Sequence, residues 1–236
     1  MADLAPLMMI TGASRGIGRG LAEHFTADGY RVAGCSRGKS DFEHPSYLHS
    51  QLDVTDEPAV RSWVRAIRNE LGPVDVLVCN AGAAKAARLL TMTDGTMLDE
   101  VVRSNVYGTY FVCREVGRQM MANRRGRIVT VSSMAVGLHE EGTSAYAAAK
   151  AAIVELTKVL AKELAPHGIT ANVIAPSMYP SDAFEALGES VQERARGRLT
   201  IQRTLTIAEI ANVVAFFAAP ESRAVTGQVI HLGLVV

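Results

Sequence analysis

The sequence lacks the features that mark disulfide scaffolds, membrane proteins and nucleic-acid binders. Its three cysteines, Cys35, Cys79 and Cys113, lie in apolar segments without a C-x-x-C spacing, so we expect reduced core thiols in a cytoplasmic protein. No apolar run reaches the ~20 residues that span a bilayer, and no basic region precedes the first one, which argues against a signal peptide. The 24 basic and 24 acidic residues cancel and the six histidines show no ligand spacing, so we expect no nucleic-acid, membrane or metal partner.

What the chain does have is a regular alternation of short apolar runs with helical patterns, which suits a single α/β domain over 1–236. Strands are predicted at 7–11, 31–36, 47–53, 74–79, 127–132, 169–175 and 228–232, and helices at 16–28, 56–71, 96–122, 145–165 and 206–219. This order predicts a Rossmann-type, doubly wound parallel sheet of about seven strands with helices on both faces. We interpret 177–200, in the least regular part of the chain, as a lid over the substrate.

Two reactive side chains stand one helical turn apart, at Tyr146 and Lys150. A free tyrosine has a pKa of about 10, and a nearby positive charge is expected to lower it toward the working range of an acid–base catalyst. Alone this spacing is weak evidence, because Tyr-x-x-x-Lys also arises by chance on solvated helix faces.

A glycine-rich turn follows the first predicted strand and precedes the first predicted helix. Its glycines, Gly12, Gly16 and Gly18, would let the backbone approach a pyrophosphate, and the helix N-terminus offers unpaired N–H groups. Strand, glycine turn and helix in this order predict the front half of a dinucleotide-binding unit. The alternative is a tight turn that binds no ligand.

Over almost its whole length the chain resembles the short-chain dehydrogenase/reductase family. The stretch from Thr11 to Gly18 is similar to the family's cofactor motif, and Asn80-Ala81-Gly82 to its Asn-Ala-Gly motif. Asp53-Val54 is similar to the adenine-side acidic position, and Thr226-Gly227-Gln228 to the C-terminal motif. Several motifs in the family's order make coincidence implausible.

The resemblance implies four catalytic residues: Asn105, Ser133, Tyr146 and Lys150. Asn105 and Ser133 stand 41 and 13 positions before Tyr146, as in the family. It implies that Tyr146 protonates the oxygen when a carbonyl receives a hydride, while Lys150 lowers the tyrosine pKa and Ser133 steadies the substrate oxygen. Asn105 would hold a relay water, and as a poor helix-interior residue it also predicts a local bend in the helix. Ser132 competes with Ser133, and only the spacing selects between them.

Charge at the end of the second strand predicts NADP(H) as the cofactor. NAD-selective relatives have an acidic residue there, whereas this chain has Ser36 followed by Arg37, with Arg15 inside the glycine turn. Two guanidinium groups suit a phosphate dianion, the alternative being two solvated arginines. The cofactor contacts expected from the resemblance are Gly12, Ser14, Arg15, Gly16, Ile17, Gly18, Ser36, Arg37, Asp53, Val54, Asn80, Ala81, Gly82, Tyr146, Lys150, Pro176 and Ser181.

Two departures from the family pattern lie late in the chain. Ser177 follows Pro176 where the family usually has glycine, so we expect the turn under the nicotinamide to differ, because serine enters positive φ less easily. The segment from His231 onward lacks the common Asp-Gly-Gly sequence. Since that segment often packs between subunits, we expect a homo-oligomer, either the family's usual tetramer or a dimer.

Within the family the pattern favours a 3-oxoacyl reductase, whose substrate could be bound to an acyl carrier protein or be a small ketone. Arg124, Arg125 and Arg127 lie near the docking arginine of related enzymes, but His167 occupies a second basic position. The other classes are a dehalogenating lyase and a non-catalytic nucleotide sensor, and the intact Tyr, Lys and glycine turn argue against both. Substrate contacts are expected from three variable loops, at 83–90, 134–142 and 177–200.

Overall fold

A computed structural model describes residues 5–83, 88–180 and 189–235. Within them, seven strands form one parallel sheet in the order β3-β2-β1-β4-β5-β6-β7. The strands are β1 Leu7–Thr11, β2 Arg31–Ser36, β3 Tyr47–Gln51, β4 Val76–Cys79, β5 Gly126–Val131, β6 Ile169–Pro176 and β7 Val229–Leu232. This confirms the predicted seven-stranded, doubly wound sheet.

Helices cover both faces of the sheet. They are α1 Gly16–Ala27, α2 Glu57–Leu71, α3 Gly95–Val102, α4 Gly108–Asn123, α5 Ala135–Leu138, α6 Ser144–Leu164, α7 Glu189–Gly197 and α8 Ile207–Ala218. Alternate residues of β1 face opposite sides, as the pleat of a strand requires. Leu7 and Met9 pack with α2, α4 and α6, while Met8 and Ile10 pack with α1 and α8. None of the helices in the described ranges is long and apolar enough to cross a membrane.

The prediction of a single helix over 96–122 is wrong in one respect. The structure divides it into α3, one π-helical turn at Arg103–Tyr107, and α4. The amide of Asn105 causes the division, because its Nδ2 donates to the Val101 carbonyl at 2.9 Å. That carbonyl is the acceptor that an α-helix would pair with the backbone N–H of residue 105, so the turn widens. The predicted bend at Asn105 is therefore present.

The three cysteines are free and buried, as predicted. Cys79 and Cys113 lie with their sulfur atoms 3.5 Å apart, which joins β4 to α4 inside the larger core cluster. The hydrogen bond with the Cys113 thiol and, after it, burial raise the pKa of Cys79 well above its ordinary value, so it stays protonated at neutral pH.

Candidate active site

The predicted catalytic residues come together at the carboxyl edge of the sheet. Ser133 lies just beyond β5, and its hydroxyl is hydrogen-bonded to the phenol of Tyr146 in the first turn of α6. Ser132 is buried, and its Oγ donates to the backbone carbonyl of Lys150 at 3.0 Å. Ser132 therefore holds α6 against β5, and Ser133 is the serine that contacts the tyrosine.

Lys150 is a buried cation at the centre of this cluster. Its side chain is only 5% exposed, and its Nζ donates to the Val131 carbonyl at 2.9 Å and lies 5.7 Å from the centroid of the Tyr146 ring. Removal from water lowers its pKa to about 8. At neutral pH the ammonium form still predominates, so a positive charge remains beside the tyrosine.

The pKa of Tyr146 departs from the sequence-based expectation. Burial raises it above its ordinary value, and the hydrogen bond with Ser133 offsets this only in part. The expected lowering is wrong for this structure, because loss of water around the phenol decides the direction of the shift. A raised pKa keeps the phenol protonated at neutral pH, which is the form that can donate a proton to a carbonyl oxygen.

Asn105 is fully buried and aims one unpaired atom toward the site. Its Nδ2 donates to the carbonyls of Ala83 at 3.0 Å and Val101 at 2.9 Å, while its Oδ1 has no hydrogen-bond partner among the described residues. Gly82 separates this oxygen from Lys150. A Cβ added to Gly82 would lie 2.4 Å from Oδ1 and 3.2 Å from Nζ. The absence of a side chain at Gly82 therefore lets the Asn105 amide and the Lys150 ammonium approach this position from two sides.

The glycine turn between β1 and α1 fits a pyrophosphate. Gly12 has a φ of 72°, and a Cβ added to Gly18 would lie 2.2 Å from the Gly12 carbonyl, so this packing needs glycine. A Cβ added to Gly16 would meet nothing within 4 Å. In the described part of the chain no side chain caps the N-terminus of α1, whereas Asp56 caps α2. The first N–H groups of α1 are therefore available to an anion.

Asn80 and Ala81 support this turn from β4. The Asn80 Nδ2 donates to the carbonyls of Thr11 at 3.0 Å and Gly12 at 3.3 Å. The Thr11 hydroxyl accepts from the backbone N–H groups of Asn80 and Ala81, at 3.1 and 3.0 Å. Asn80 thus holds the loop in place, and its contact with the cofactor stays a prediction. Thr11, absent from the predicted contacts, anchors the other side.

The predicted adenine-side pair has unequal roles. The Asp53 carboxylate accepts from the Thr55 N–H at 2.9 Å and remains half-buried in the loop after β3. Val54 is buried, and its Cγ2 lies 2.5 Å from where a Cβ on Gly108 would be, so it packs under the start of α4. The contact of Val54 with a cofactor stays a prediction.

At the far end of β2 the predicted phosphate-binding residues lie at the surface. Arg15 and Arg37 are exposed, and Ser36 is half-buried. The Ser36 hydroxyl donates to the Gly38 carbonyl at 2.8 Å. Within the described ranges no carboxylate follows β2 directly, so the charge at this position matches a phosphate better than a ribose diol.

The turn after β6 accommodates serine without strain. Among the described non-glycine residues only Arg124 and His139 have positive φ, so Ser177 does not. Gly233, with a φ of 79°, provides the space instead, since a Cβ there would lie 2.4 Å from the Ser177 Oγ. The Pro176 carbonyl accepts from the Met134 N–H at 3.1 Å.

Only parts of the predicted lid and of the loop at 83–90 fall within the described residues. Ser181 lies outside them. Met178 is buried with Leu199 and Leu234, so this part of the segment packs on the body of the protein. The lid itself stays a prediction.

A cavity of about 740 Å³ marks the meeting of the predicted loops at 134–142 and 177–200. It is lined by Leu138, His139, Glu140, Glu141 and Arg198. An ion pair of 2.7 Å joins Arg198 to Glu140 across it. The surface where these two loops meet is therefore polar, with charges of both signs.

Comparison with known proteins agrees with this arrangement. Residues 12–233 match the family model described as Enoyl-(Acyl carrier protein) reductase. The chain is 36% identical over 232 residues to the 3-oxoacyl-[acyl-carrier-protein] reductase FabG of Escherichia coli, covering 96% of this chain and 95% of the relative. It is 35% identical over 224 residues to the 3-oxoacyl-[acyl-carrier-protein] reductase MabA of Mycobacterium bovis, covering 94% and 89%.

A solved structure is similar over the same span. That structure, of ElxO with NADP bound, superimposes with a TM-score of 0.89 at 29% identity, covering 96% of each chain. The parallel sheet, the glycine turn and the Ser–Tyr–Lys cluster agree with these matches. The chain belongs to the short-chain dehydrogenase/reductase family of oxidoreductases.

Proposed function

We propose that this chain is an NADP(H)-dependent ketoreductase that reduces the 3-keto group of acyl thioesters. The observation that carries the proposal is the cluster of Ser133, Tyr146 and Lys150 beside a glycine turn that fits a pyrophosphate. Its 36% identity to a 3-oxoacyl-[acyl-carrier-protein] reductase supports the substrate class. The NADP bound to ElxO, whose fold is similar, supports the cofactor.

In the proposed mechanism the chain positions a carbonyl and delivers a proton. When bound, NADPH supplies the hydride that goes to the carbonyl carbon. The Ser133 hydroxyl donates to the carbonyl oxygen and stabilises its developing charge. The Tyr146 phenol gives its proton to that oxygen, so a ketone, a hydride and a proton become a secondary alcohol. The Lys150 ammonium stabilises the phenolate left behind, and the unpaired Oδ1 of Asn105 can order the water that returns a proton.

Cofactor preference gives a direct prediction at the end of β2. Arg37→Asp should weaken NADPH binding and improve NADH binding, because it places a carboxylate where a 2′-phosphate would lie and where a ribose diol could donate to it. The measurement is kcat/KM for both cofactors in the native enzyme and the variant. Equal kcat/KM for NADPH and NADH in the native enzyme contradicts the proposed selectivity.

The positions of the predicted docking residues support delivery of the substrate by an acyl carrier protein only in part. Of the three arginines at the start of β5, Arg125 pairs with Asp75 at 2.9 Å and Arg127 is half-buried. Arg124 is exposed and donates to the Pro166 carbonyl, next to His167. These residues lie at the amino end of β5, on the order of 20 Å from the carboxyl end at ~3.3 Å per residue. A carrier docked there would reach this site only with a long arm, or would serve the site of a second copy.

The test is NADPH oxidation with a panel of substrates. We expect activity with 3-oxoacyl thioesters and lower activity with plain ketones of equal chain length. If a carrier docks at Arg124, Arg124→Glu should lower kcat/KM for the carrier-bound thioester and leave the free thioester unchanged. Oxidation of plain ketones alone would favour a small-molecule dehydrogenase, and no oxidation of any member would reject the ketoreductase proposal.

The proposal includes a homo-oligomer. Tyr107 and Tyr110 are exposed at the π turn and on the α4 helix that follows it, and Val159 is exposed on α6. Such apolar residues at a helix surface favour a subunit contact. The mass of the assembly from light scattering decides this, and a monomer at micromolar concentration would contradict it.

A further inference from the structure

Three successive carbonyl groups at the end of β2 are held by donors on the side of β3 or by the turn itself. The Ser36 carbonyl accepts from the Leu52 N–H at 2.9 Å, and the Arg37 carbonyl accepts from the Gln51 Nε2 at 2.8 Å. The Gly38 carbonyl accepts from the Ser36 hydroxyl at 2.8 Å and lies 3.1 Å from the Nε2 of His49. Three successive carbonyls are thus fixed in direction.

Their orientation determines where the next N–H groups point. In a trans peptide the carbonyl of one residue and the N–H of the next face opposite ways, and the described residues contain no cis peptide. The N–H groups of residues 37–39 therefore face away from the donors that hold the carbonyls. Neighbouring N–H groups that share a direction form a concave site for an anion. The exposed Arg37 side chain leaves from the same turn.

His49 is the residue that links this turn to the glycine turn. Its Nε2 lies 3.1 Å from both the Gly38 carbonyl and the Ser36 Oγ, and its Nδ1 lies 2.9 Å from the Tyr47 hydroxyl. Because a carbonyl oxygen only accepts, Nε2 of the neutral ring carries the proton, and Nδ1 accepts from Tyr47. The Tyr47 hydroxyl in turn lies 3.5 Å from the Ala13 carbonyl.

A glycine inside β2 makes room for this link. A Cβ added to Gly34 would lie 2.5 Å from the Tyr47 hydroxyl and 2.8 Å from the Ala13 Cβ. Glycine inside a strand costs conformational entropy, so its presence needs a packing reason. Here that reason is the tyrosine hydroxyl, which lies across the strand between Ala13 and His49.

We propose that His49 is a positioning residue for recognition of the cofactor's 2′-phosphate. The His49 imidazole holds the Gly38 carbonyl and the Ser36 hydroxyl, and it thereby fixes the turn that carries Arg37. The Ser36 hydroxyl is already engaged as a donor within the turn, so the loop N–H groups and Arg37 supply the contacts to the phosphate. The inference rests on the proposed use of NADP(H), and not on the identity of the carbonyl substrate.

The test is binding of 2′,5′-ADP and of 5′-AMP to the full-length protein by calorimetry. These ligands differ only by the 2′-phosphate. We expect His49→Ala to weaken 2′,5′-ADP about tenfold, the effect of one lost charge-assisted contact, and to leave 5′-AMP within about twofold. His49→Gln, whose amide can donate to Gly38, should recover most of the loss. His24→Ala, which removes a partly exposed imidazole from α1, should change neither ligand.

Three results with the variants would overturn the proposal. They are equal weakening of both ligands by His49→Ala, no weakening of either, and a His49→Gln variant no better than His49→Ala. Retained 5′-AMP binding shows that the alanine variant is folded. The titrations do not depend on turnover. An enzyme that is inactive on every ketone would reject the proposed substrate class, but the binding constants would still test the role of His49. A native protein that binds both ligands equally would overturn the inference itself.

Discussion

Replacing Tyr146 with phenylalanine is expected to lower turnover by ~10²–10⁴-fold, the usual contribution of a positioned acid. The substitution removes one oxygen, so the ring can keep its place against Ser133 and the Lys150 ammonium. Without the phenol, no described side chain beside Ser133 can give a proton to the new alkoxide as readily. The measurement is steady-state NADPH oxidation with a 3-oxoacyl thioester.

Cofactor binding should survive this change, because the expected loss lies in the proton transfer. The Kd of NADPH measured by fluorescence should stay close to the native value. Tyr110→Phe, at an exposed tyrosine on α4, is the matched control and should keep full turnover. Near-normal turnover in Tyr146→Phe would show that another group supplies the proton.

Replacing Lys150 with methionine is expected to abolish most activity and yet make the cofactor-free protein more stable. The native ammonium is buried, and it donates to the Val131 carbonyl. Its pKa falls from 10.5 to about 8 on folding. At about 1.4 kcal/mol per pKa unit, the buried charge destabilises the native folded state by about 3 kcal/mol at neutral pH. The variant loses the hydrogen bond to the Val131 carbonyl, and this reduces its gain in stability by about 1 kcal/mol.

The sign of this effect depends on pH. Because the folded pKa of Lys150 lies below the unfolded value, the unfolded chain binds more protons between pH 8 and 10.5. The penalty is full below pH 8 and fades as pH rises toward 10.5. The gain in stability of Lys150→Met should therefore be largest at pH 7 and should be smaller at about pH 9.5. Each kcal/mol of this gain should raise the Tm by roughly 2–4 °C.

Calorimetric Tm values at both pH values provide the measurement. Lys158→Met is the control on the same helix, since Lys158 is exposed and pairs with Glu155 at the surface. It should give no pH-dependent gain. A Lys150→Met variant that is less stable than the native protein at pH 7 would show that the lysine is not a strained buried charge.

The doubly wound parallel sheet of about seven strands could be predicted because apolar runs and helical patterns alternate along the whole chain. The bend at Asn105 could also be predicted, since asparagine competes for backbone partners inside a helix. Its π-helical form could not, because this depends on which carbonyl the amide takes. The roles of Ser132 and Ser133 likewise separated only once α6 was placed against β5.

Other features depend on residues that are distant in sequence. The raised pKa of Tyr146 follows from burial, which a four-residue spacing does not contain. Ser177 does not have a positive φ, and Gly233 leaves room for its hydroxyl. His49 meets Gly38 because parallel pairing places it beside Gly34. A glycine inside a buried strand was the one signal in the sequence that could have pointed there.

Transfer of deuterium tests the proposed reaction most directly. The native enzyme would be incubated with NADPH carrying deuterium at both positions of nicotinamide carbon 4 and with a 3-oxoacyl thioester, and the product analysed by mass spectrometry. We predict a 3-hydroxyacyl thioester with one deuterium on carbon 3, and a loss of ~10²-fold or more in its rate of formation with Tyr146→Phe. A product without deuterium on carbon 3, or no product, would contradict the assignment of this chain as an NADPH-dependent ketoreductase.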